Sequence, residues 1–213
     1  MKKVNHRALC FLLGLVLVLS LAGCKRGPKG SQLLDQGKYV EAAQFYEEQL
    51  KSKPDDPVVN NQLGYSYAKL GKFDQAVASY QKAVKLKPDY PEAHYNLGFL
   101  YMSKQFLKLN EATTEFSKAI ELKPNYDKAY NNRGMTYGYL GKFDLAKQDI
   151  EKAISLMPKD QTYKDNLEWI KRMENVTKAS LPQKPATTPQ TGATAQEKKT
   201  EPTPAPSHPA PGK

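Results

Sequence analysis

The sequence predicts an all-α chain, a solenoid of antiparallel helix pairs, and three observations carry that prediction. Gly30, Gly64, Gly98 and Gly134 recur at spacings of 34, 34 and 36 residues, and Pro54, Pro88, Pro124 and Pro158 at 34, 36 and 34. Such a period marks stacked supersecondary units that bury a continuous core only together. Within each period large apolar residues fall three and four apart, which gives each helix one apolar stripe, and no run alternates with the period of a strand.

The chain opens with Lys2, Lys3 and Arg7, followed by Ala8 to Ala22, apolar apart from Ser20. That stretch is too short to span a bilayer comfortably and reads as a cleaved signal over residues 1–23. It ends in Leu21-Ala22-Gly23-Cys24, which resembles the lipobox of bacterial lipoproteins. The resemblance implies a diacylglycerol thioether on Cys24, cleavage before it, and acylation of the new amino terminus, palmitate being the expected chain. Lys25 follows the cysteine, where an aspartate would suggest inner-membrane retention in enteric-type bacteria. The expected location is therefore the bacterial cell envelope, at the periplasmic face of an outer membrane. Each buried acyl methylene contributes roughly 0.8 kcal/mol, so two or three chains form a lasting anchor. Cys10 lies in the discarded segment and Cys24 takes the lipid, which leaves no thiol for a disulfide. Residues 24–29 are a short basic linker. Lys25, Arg26 and Lys29 either attract anionic headgroups, at ~1 kcal/mol each, or are simply solvated.

Residues 30–160 hold the repeats: a truncated first copy at 30–56, then 57–90, 91–126 and 127–160. The second reads Asn60-x2-Leu63-Gly64-x2-Tyr67, then Ala76-x3-Tyr80-x2-Ala83-x4-Pro88. The third matches with His94, Leu97, Gly98 and Tyr101, then Ala112, Phe116, Ala119 and Pro124. The fourth has Tyr130, Arg133, Gly134 and Tyr137, then Ala146, Ile150, Ala153 and Pro158. Small residues such as Gly64, Ala76 and Ala83 allow two helix backbones to approach where a branched side chain would hold them apart. Gly71-Lys72-Phe73-Asp74 and Gly141-Lys142-Phe143-Asp144 supply turns, with glycine ending one helix and Asp74 or Asp144 expected to cap the next.

This pattern resembles the tetratricopeptide repeat over residues 27–160, which implies a right-handed α-solenoid with the first helix of each pair facing a concave groove. Two departures stand out. The first copy keeps its second helix, around Lys38 to Ser52, but Gly27, Pro28 and Gly30 leave little room for its first. The third carries two extra residues between its helices, which brings Phe106 and Leu107 to a solenoid edge. Gln161 to Thr177 reads as a helix that caps the last repeat, with Leu167, Trp169, Ile170 and Met173 apolar. From Lys178 to Lys213 proline, threonine, alanine, lysine and glutamine dominate, the composition of a disordered tail.

The resemblance places the groove on Val58 to Leu70, Glu92 to Ser103 and Lys128 to Leu140. The expected lining is Asn61, Gln62, Tyr65 and Lys69 from the first helix and Glu92, Tyr95, Asn96, Phe99 and Met102 from the second. The third adds Lys128, Asn131, Asn132, Met135 and Tyr139. Gln62, Asn96 and Asn132 occupy equivalent places, and a row of amides can pair with a peptide backbone without reading its sequence. Tyr65, Tyr95, Phe99 and Tyr139 would hold apolar side chains. Some members of the family grip a terminal carboxylate with two lysines, two asparagines and an arginine. Asn96 and Lys128 match that set, whereas Asn61, Tyr65 and Asn132 stand where a lysine, an asparagine and the arginine belong. Two cations are missing, so capture of an acidic C-terminus is not expected.

The net charge of +10 loses three with the signal and three with the tail, leaving about +4 on the repeats, which is no footprint for nucleic acid. His94 is the histidine of the folded part and is expected in the core. No metal set, nucleophile constellation or phosphate-binding loop can be assembled, so neither an enzyme nor a cofactor is expected. The reading is a membrane-anchored, non-catalytic scaffold that binds a protein or peptide partner. Lipoproteins of this repeat family act in secretin or pilus assembly and in organising cell-wall hydrolases. The alternatives are a spacer whose Pro-rich tail contacts cell wall or a partner, and a cryptic envelope hydrolase.

Overall fold

The computed structural model describes residues 29–180. Among them are nine α-helices and no strand: α1 (Lys29–Asp35), α2 (Tyr39–Ser52), α3 (Pro57–Lys69), α4 (Phe73–Leu86), α5 (Pro91–Met102), α6 (Leu109–Leu122), α7 (Asp127–Tyr139), α8 (Phe143–Leu156) and α9 (Gln161–Ser180). The signal, Cys24 and residues 181–213 of the tail lie outside the described residues.

Helices pack in consecutive pairs, α3 on α4, α5 on α6 and α7 on α8, and each pair packs on the next through its second helix and the following first one. The first helices also touch one another, α3 with α5 and α5 with α7, so they form one layer. The seam inside each pair is as narrow as the repeat motif requires. A Cβ on Gly64 would stand 2.8 Å from the Tyr80 ring, and one on Gly98 would stand 3.0 Å from Phe116. Ala76, Ala83, Ala112 and Ala119 opposite them are fully buried. α1 has seven described residues, where the other first helices have twelve or thirteen. α9 continues to Ser180, three residues beyond the predicted end. It is anchored by buried Ile170 and Tyr163, while Met173, expected on the apolar face, is 37% exposed.

The turns within pairs follow one geometry. Gly37, Gly71 and Gly141 adopt φ of 71°, 72° and 71°, the left-handed region open to glycine. The next lysine's N–H then donates to a carbonyl five residues back, Lys72 to Tyr67 at 2.9 Å and Lys142 to Tyr137 at 2.8 Å. This bond places the lysine itself at the cap position. Asp74 and Asp144 therefore do not cap as expected; they sit in the first turn, where their charge faces the positive end of the helix dipole. Side-chain capping occurs at α3, where Asp56 Oδ1 accepts from the N–H groups of Val58 and Val59 at 2.9 and 3.1 Å.

The third pair breaks the rule. Its two extra residues put Leu107 where the other turns have glycine, at φ 49°, and Lys108 reaches back seven residues to Tyr101 at 2.9 Å. Leu107 is 64% exposed, so little packing offsets its backbone strain. Leu107→Gly is expected to raise stability by about 1 kcal/mol, read as a higher urea midpoint at unchanged slope. A lower midpoint would show that the leucine side chain contributes more than the strain costs.

Candidate functional site

The first-helix layer of α3, α5 and α7 forms a trough with two adjoining depressions. One, of about 540 Å³, is lined by Asn61, Gln62, Tyr65, Glu92, Tyr95, Asn96 and Lys128, with Tyr90, Lys123 and Tyr126 from the links between pairs and Asp127 from the start of α7. The other, of about 480 Å³, is more apolar and shares Tyr65, Tyr95, Asn96 and Lys128. It adds Lys69 and Phe99, both expected, together with Ala68, Phe73, Tyr80, Leu100 and Ser103. Asn131, Asn132, Met135 and Tyr139 line neither depression.

Several expected lining residues have other duties. Asn61 and Asn131 are buried, at 5% and 7% exposure, although Asn61 also borders the first depression. Met102 and Met135 are half-buried against the core. The reason is an inter-repeat ladder that joins one helical position to the next-numbered position of the following repeat. Asn96 Nδ2 donates to Asn61 Oδ1 at 3.1 Å, Asn132 Nδ2 to the Tyr95 hydroxyl at 3.0 Å, and Asn166 Nδ2 to Asn131 Oδ1 at 2.8 Å. The amide row is thus partly occupied in stacking one repeat on the next. Asn166 was missed because it lies in the capping helix, although its offset of 34 from Asn132 continues the register.

The aromatic part of the trough is only partly covered. The Tyr95 ring lies 5.0 Å from Tyr126, 5.8 Å from Phe116 and 6.3 Å from Phe99, centroid to centroid, and burial pushes its hydroxyl pKa above the usual range. Phe99 is nevertheless 50% exposed and Tyr139 55% exposed, the latter resting edge-on against Trp169 at 5.4 Å. Large, half-open aromatic surface of this kind gives contact area at low entropy cost. Lys69 stands 5.3 Å over the Tyr65 ring, and Glu92 pairs with Lys123 at 3.3 Å.

Two polar groups, one buried and one half-buried, stabilise the scaffold behind the trough. His94, 8% exposed, is indeed in the core, but as a polar link: Nδ1 lies 2.6 Å from Glu115 Oε2 and Nε2 lies 3.0 Å from the Pro88 carbonyl. Asn60 makes the equivalent link to Pro54 in the repeat before. Burial disfavours the charged imidazole and so does Lys118, but Glu115 and the Pro88 carbonyl outweigh them, and the His94 pKa is raised above 6.5. A raised folded-state value means that this contribution to stability is full below about pH 6.5 and is lost as pH rises through the folded value. Wild type should therefore lose stability on going from mildly acidic to mildly alkaline pH, and His94→Gln should flatten that slope in urea titrations at several pH values.

The second group is Arg133, which stands where the other repeats have Leu63 and Leu97. It binds Asp149 through two bonds, Nε to Oδ2 at 2.7 Å and Nη2 to Oδ1 at 2.8 Å, and donates from Nη1 to Ser117 Oγ at 2.9 Å. Its guanidinium carbon is within 5.7 and 5.8 Å of the Tyr130 and Tyr137 ring centroids. Sequence reasoning counted Arg133 within the repeat motif but gave it no partner; a cation at an otherwise leucine position was the available signal. Among the described residues no group of three or more histidines, cysteines, aspartates or glutamates could hold a metal ion, and no helix is long and apolar enough to cross a membrane.

Three models of the tetratricopeptide repeat match the chain, over residues 33–79, 64–105 and 127–160. The helix pairs described above are tetratricopeptide repeats, and the fold is an α-solenoid built from them. Solved structures agree. The crystal structure of MamA is 25% identical, with a TM-score of 0.63 over 71% of this chain and 89% of that one. YrrB, described as a tetratricopeptide-repeat protein with an unusual peptide-binding site, is 25% identical, with a TM-score of 0.59 over 65% of this chain and 71% of that one. The first repeat domain of Spaghetti (RPAP3), solved with an HSP90 peptide, is 29% identical, with a TM-score of 0.52 over 55% of this chain and 90% of that one. No curated protein matches the sequence.

Proposed function

We propose that this chain is a lipid-anchored, non-catalytic scaffold of the bacterial cell envelope. Cys24 holds it at the periplasmic face of an outer membrane, and an extended segment of a partner protein lies along the trough during assembly or recruitment of an envelope complex. The observation that carries this reading is the trough itself, where Tyr65, Tyr95 and Phe99 leave aromatic surface open between half-buried Gln62 and Asn96. Those amides offer a donor and an acceptor to a peptide backbone, and the rings offer a surface for its apolar side chains. The peptide bound to RPAP3 and the peptide-binding site of YrrB support placing a peptide on this fold. A terminal-carboxylate grip remains disfavoured, because Asn61 is buried and Asn132 is bonded to Tyr95.

The test is affinity capture from detergent-solubilised envelopes with wild type and a Gln62→Ala, Phe99→Ala variant. Both changes leave the inter-repeat ladder intact, so helicity should be unchanged. A partner retained by wild type and reduced roughly tenfold or more in the variant is expected, since truncating central aromatic contacts costs ~1–2 kcal/mol each. Equal capture by both would remove the trough from the account. In the same preparation Cys24→Ser should move the chain from the membrane fraction to the aqueous one; a chain that stays behind would contradict the lipid anchor.

A further inference from the structure

Repeat register lays two parallel rows across the first-helix layer. Two residues before the seam glycine of each pair stand Gln62, Asn96 and Asn132, and Asn166 continues that row on α9. One residue after the glycine stand Tyr65, Phe99 and Met135, and Trp169 continues the second row. The two positions are three residues apart, so on each helix the amide and the apolar side chain are neighbours. No member of either row is buried, and none is charged. Each row therefore offers one partly open group per helix. Neighbouring helices of the layer touch directly, through the bonds from Asn96 to Asn61, Asn132 to Tyr95 and Asn166 to Asn131. Helices in contact lie roughly 8–10 Å apart, which sets the step from one row member to the next. Each of those bonds uses one Nδ2 hydrogen, and a primary amide has two, so Asn96, Asn132 and Asn166 each keep a donor.

We infer that the trough takes an uncharged, proline-rich partner segment in the polyproline II conformation, one ligand turn per helix pair, a specificity that rests on the trough reading above. Three residues complete a turn of that helix and advance it ~9.3 Å, the same step as the rows. Its backbone has no internal hydrogen bonds, so its carbonyls are free to accept from the amide row, and proline brings no N–H that would need an acceptor. Pyrrolidine rings lie against the aromatic row, as proline-rich segments do in aromatic-lined grooves. Other backbone forms fit less well. A β-strand presents the same face every ~6.6–6.8 Å and is out of step by the second helix. An α-helix has already satisfied its own carbonyls, so the amide row would face it unused. Charge points the same way. In the first depression Glu92 and Lys123 pair with each other at 3.3 Å, and the rows themselves are neutral, so a charged segment laid along them would lose hydration without gaining a partner.

The experiment uses the purified full chain in detergent and capped, dye-labelled, uncharged peptides with proline at every third position, read by fluorescence anisotropy. Lengths of about seven, ten and thirteen residues give three, four and five turns' worth of such prolines. Affinity should rise roughly fivefold from the first length to the second and then level off, because each row has four members. Replacing every proline with valine, which favours the strand, should weaken binding by more than about tenfold. Moving the prolines to every fourth position at equal composition should weaken it roughly fivefold. Phe99→Ala, at a side chain that is 50% exposed, should weaken the middle length roughly fivefold at unchanged helicity. Equal binding of the proline and valine peptides, indifference to proline spacing, or indifference to Phe99→Ala would overturn the assignment. Binding seen only in a full-length variant whose prolines from Pro182 to Pro211 are replaced by serine would overturn it too, by making the chain's own tail the occupant. If these peptides fail while the envelope partner is still captured through Gln62 and Phe99, the polyproline specificity alone is wrong. If neither binds, the trough reading falls with it.

Discussion

Arg133→Ala is expected to cost about 3–5 kcal/mol of folding stability, the range found when one partner of a buried ion pair is removed. The cause is what the change leaves behind. Asp149, at 6% exposure, would keep a carboxylate inside the third seam with neither of its guanidinium bonds, and Ser117 would lose its link to α7. Arg133→Lys should recover little, because an ammonium cannot make the paired bonds that a planar guanidinium makes. The double variant Arg133→Leu, Asp149→Ser copies the Leu63 and Ser79 arrangement of the second repeat and should return to within ~1 kcal/mol of wild type. Urea unfolding followed by circular dichroism measures all three. An Arg133→Ala midpoint equal to wild type would mean that the pair contributes nothing to the solenoid.

Gly134→Val should be nearly as damaging, by roughly 2–3 kcal/mol. A Cβ on Gly134 would lie 2.7 Å from Ile150 Cγ1, 3.0 Å from the Ala146 carbonyl oxygen and 3.2 Å from Asp149 Cβ. The isoleucine can move, but the carbonyl belongs to α8 and cannot yield unless the helices separate. Gly134→Ala tests the same seam more gently, since alanine's better helix propensity, about 1 kcal/mol, opposes the clash. Combining Gly134→Ala with Ile150→Ala, which removes the Cγ1 that the new methyl would meet, identifies the source. If the two changes simply add, crowding against Ile150 is not the cause; a double variant more stable than the sum shows that it is.

The solenoid was legible in the residues because its determinants are local and repeated. Gly64 and Gly98 mark where backbones touch, Gly71 and Gly141 mark where the chain turns with positive φ, and both needs exclude almost every other side chain. The caps were less legible. Asp74 and Asp144 have the chemistry of a cap, but a backbone bond from the lysine two residues before each had already placed the cap there. Groove residues could be ranked by helical register, which placed Gln62, Tyr65, Tyr95, Asn96, Phe99 and Lys128 around the trough. Register cannot say whether an amide on the first-helix layer faces outward or toward the next repeat. That depends on how closely the repeats stack, so Asn61 and Asn131 became rungs of a ladder.

The sequence by itself determined the repeat, the number of helix pairs and their turns, because each follows from glycine, alanine and proline placed at one period along the chain. Only the tertiary structure decided which polar residues are interior. Arg133 joined Asp149, His94 joined Glu115, and the buried Ser103 hydroxyl was left unpaired. The physical reason is that a backbone turn or a seam glycine is a requirement of one residue's own geometry, whereas pairing and cavities are properties of surfaces brought together from different helices.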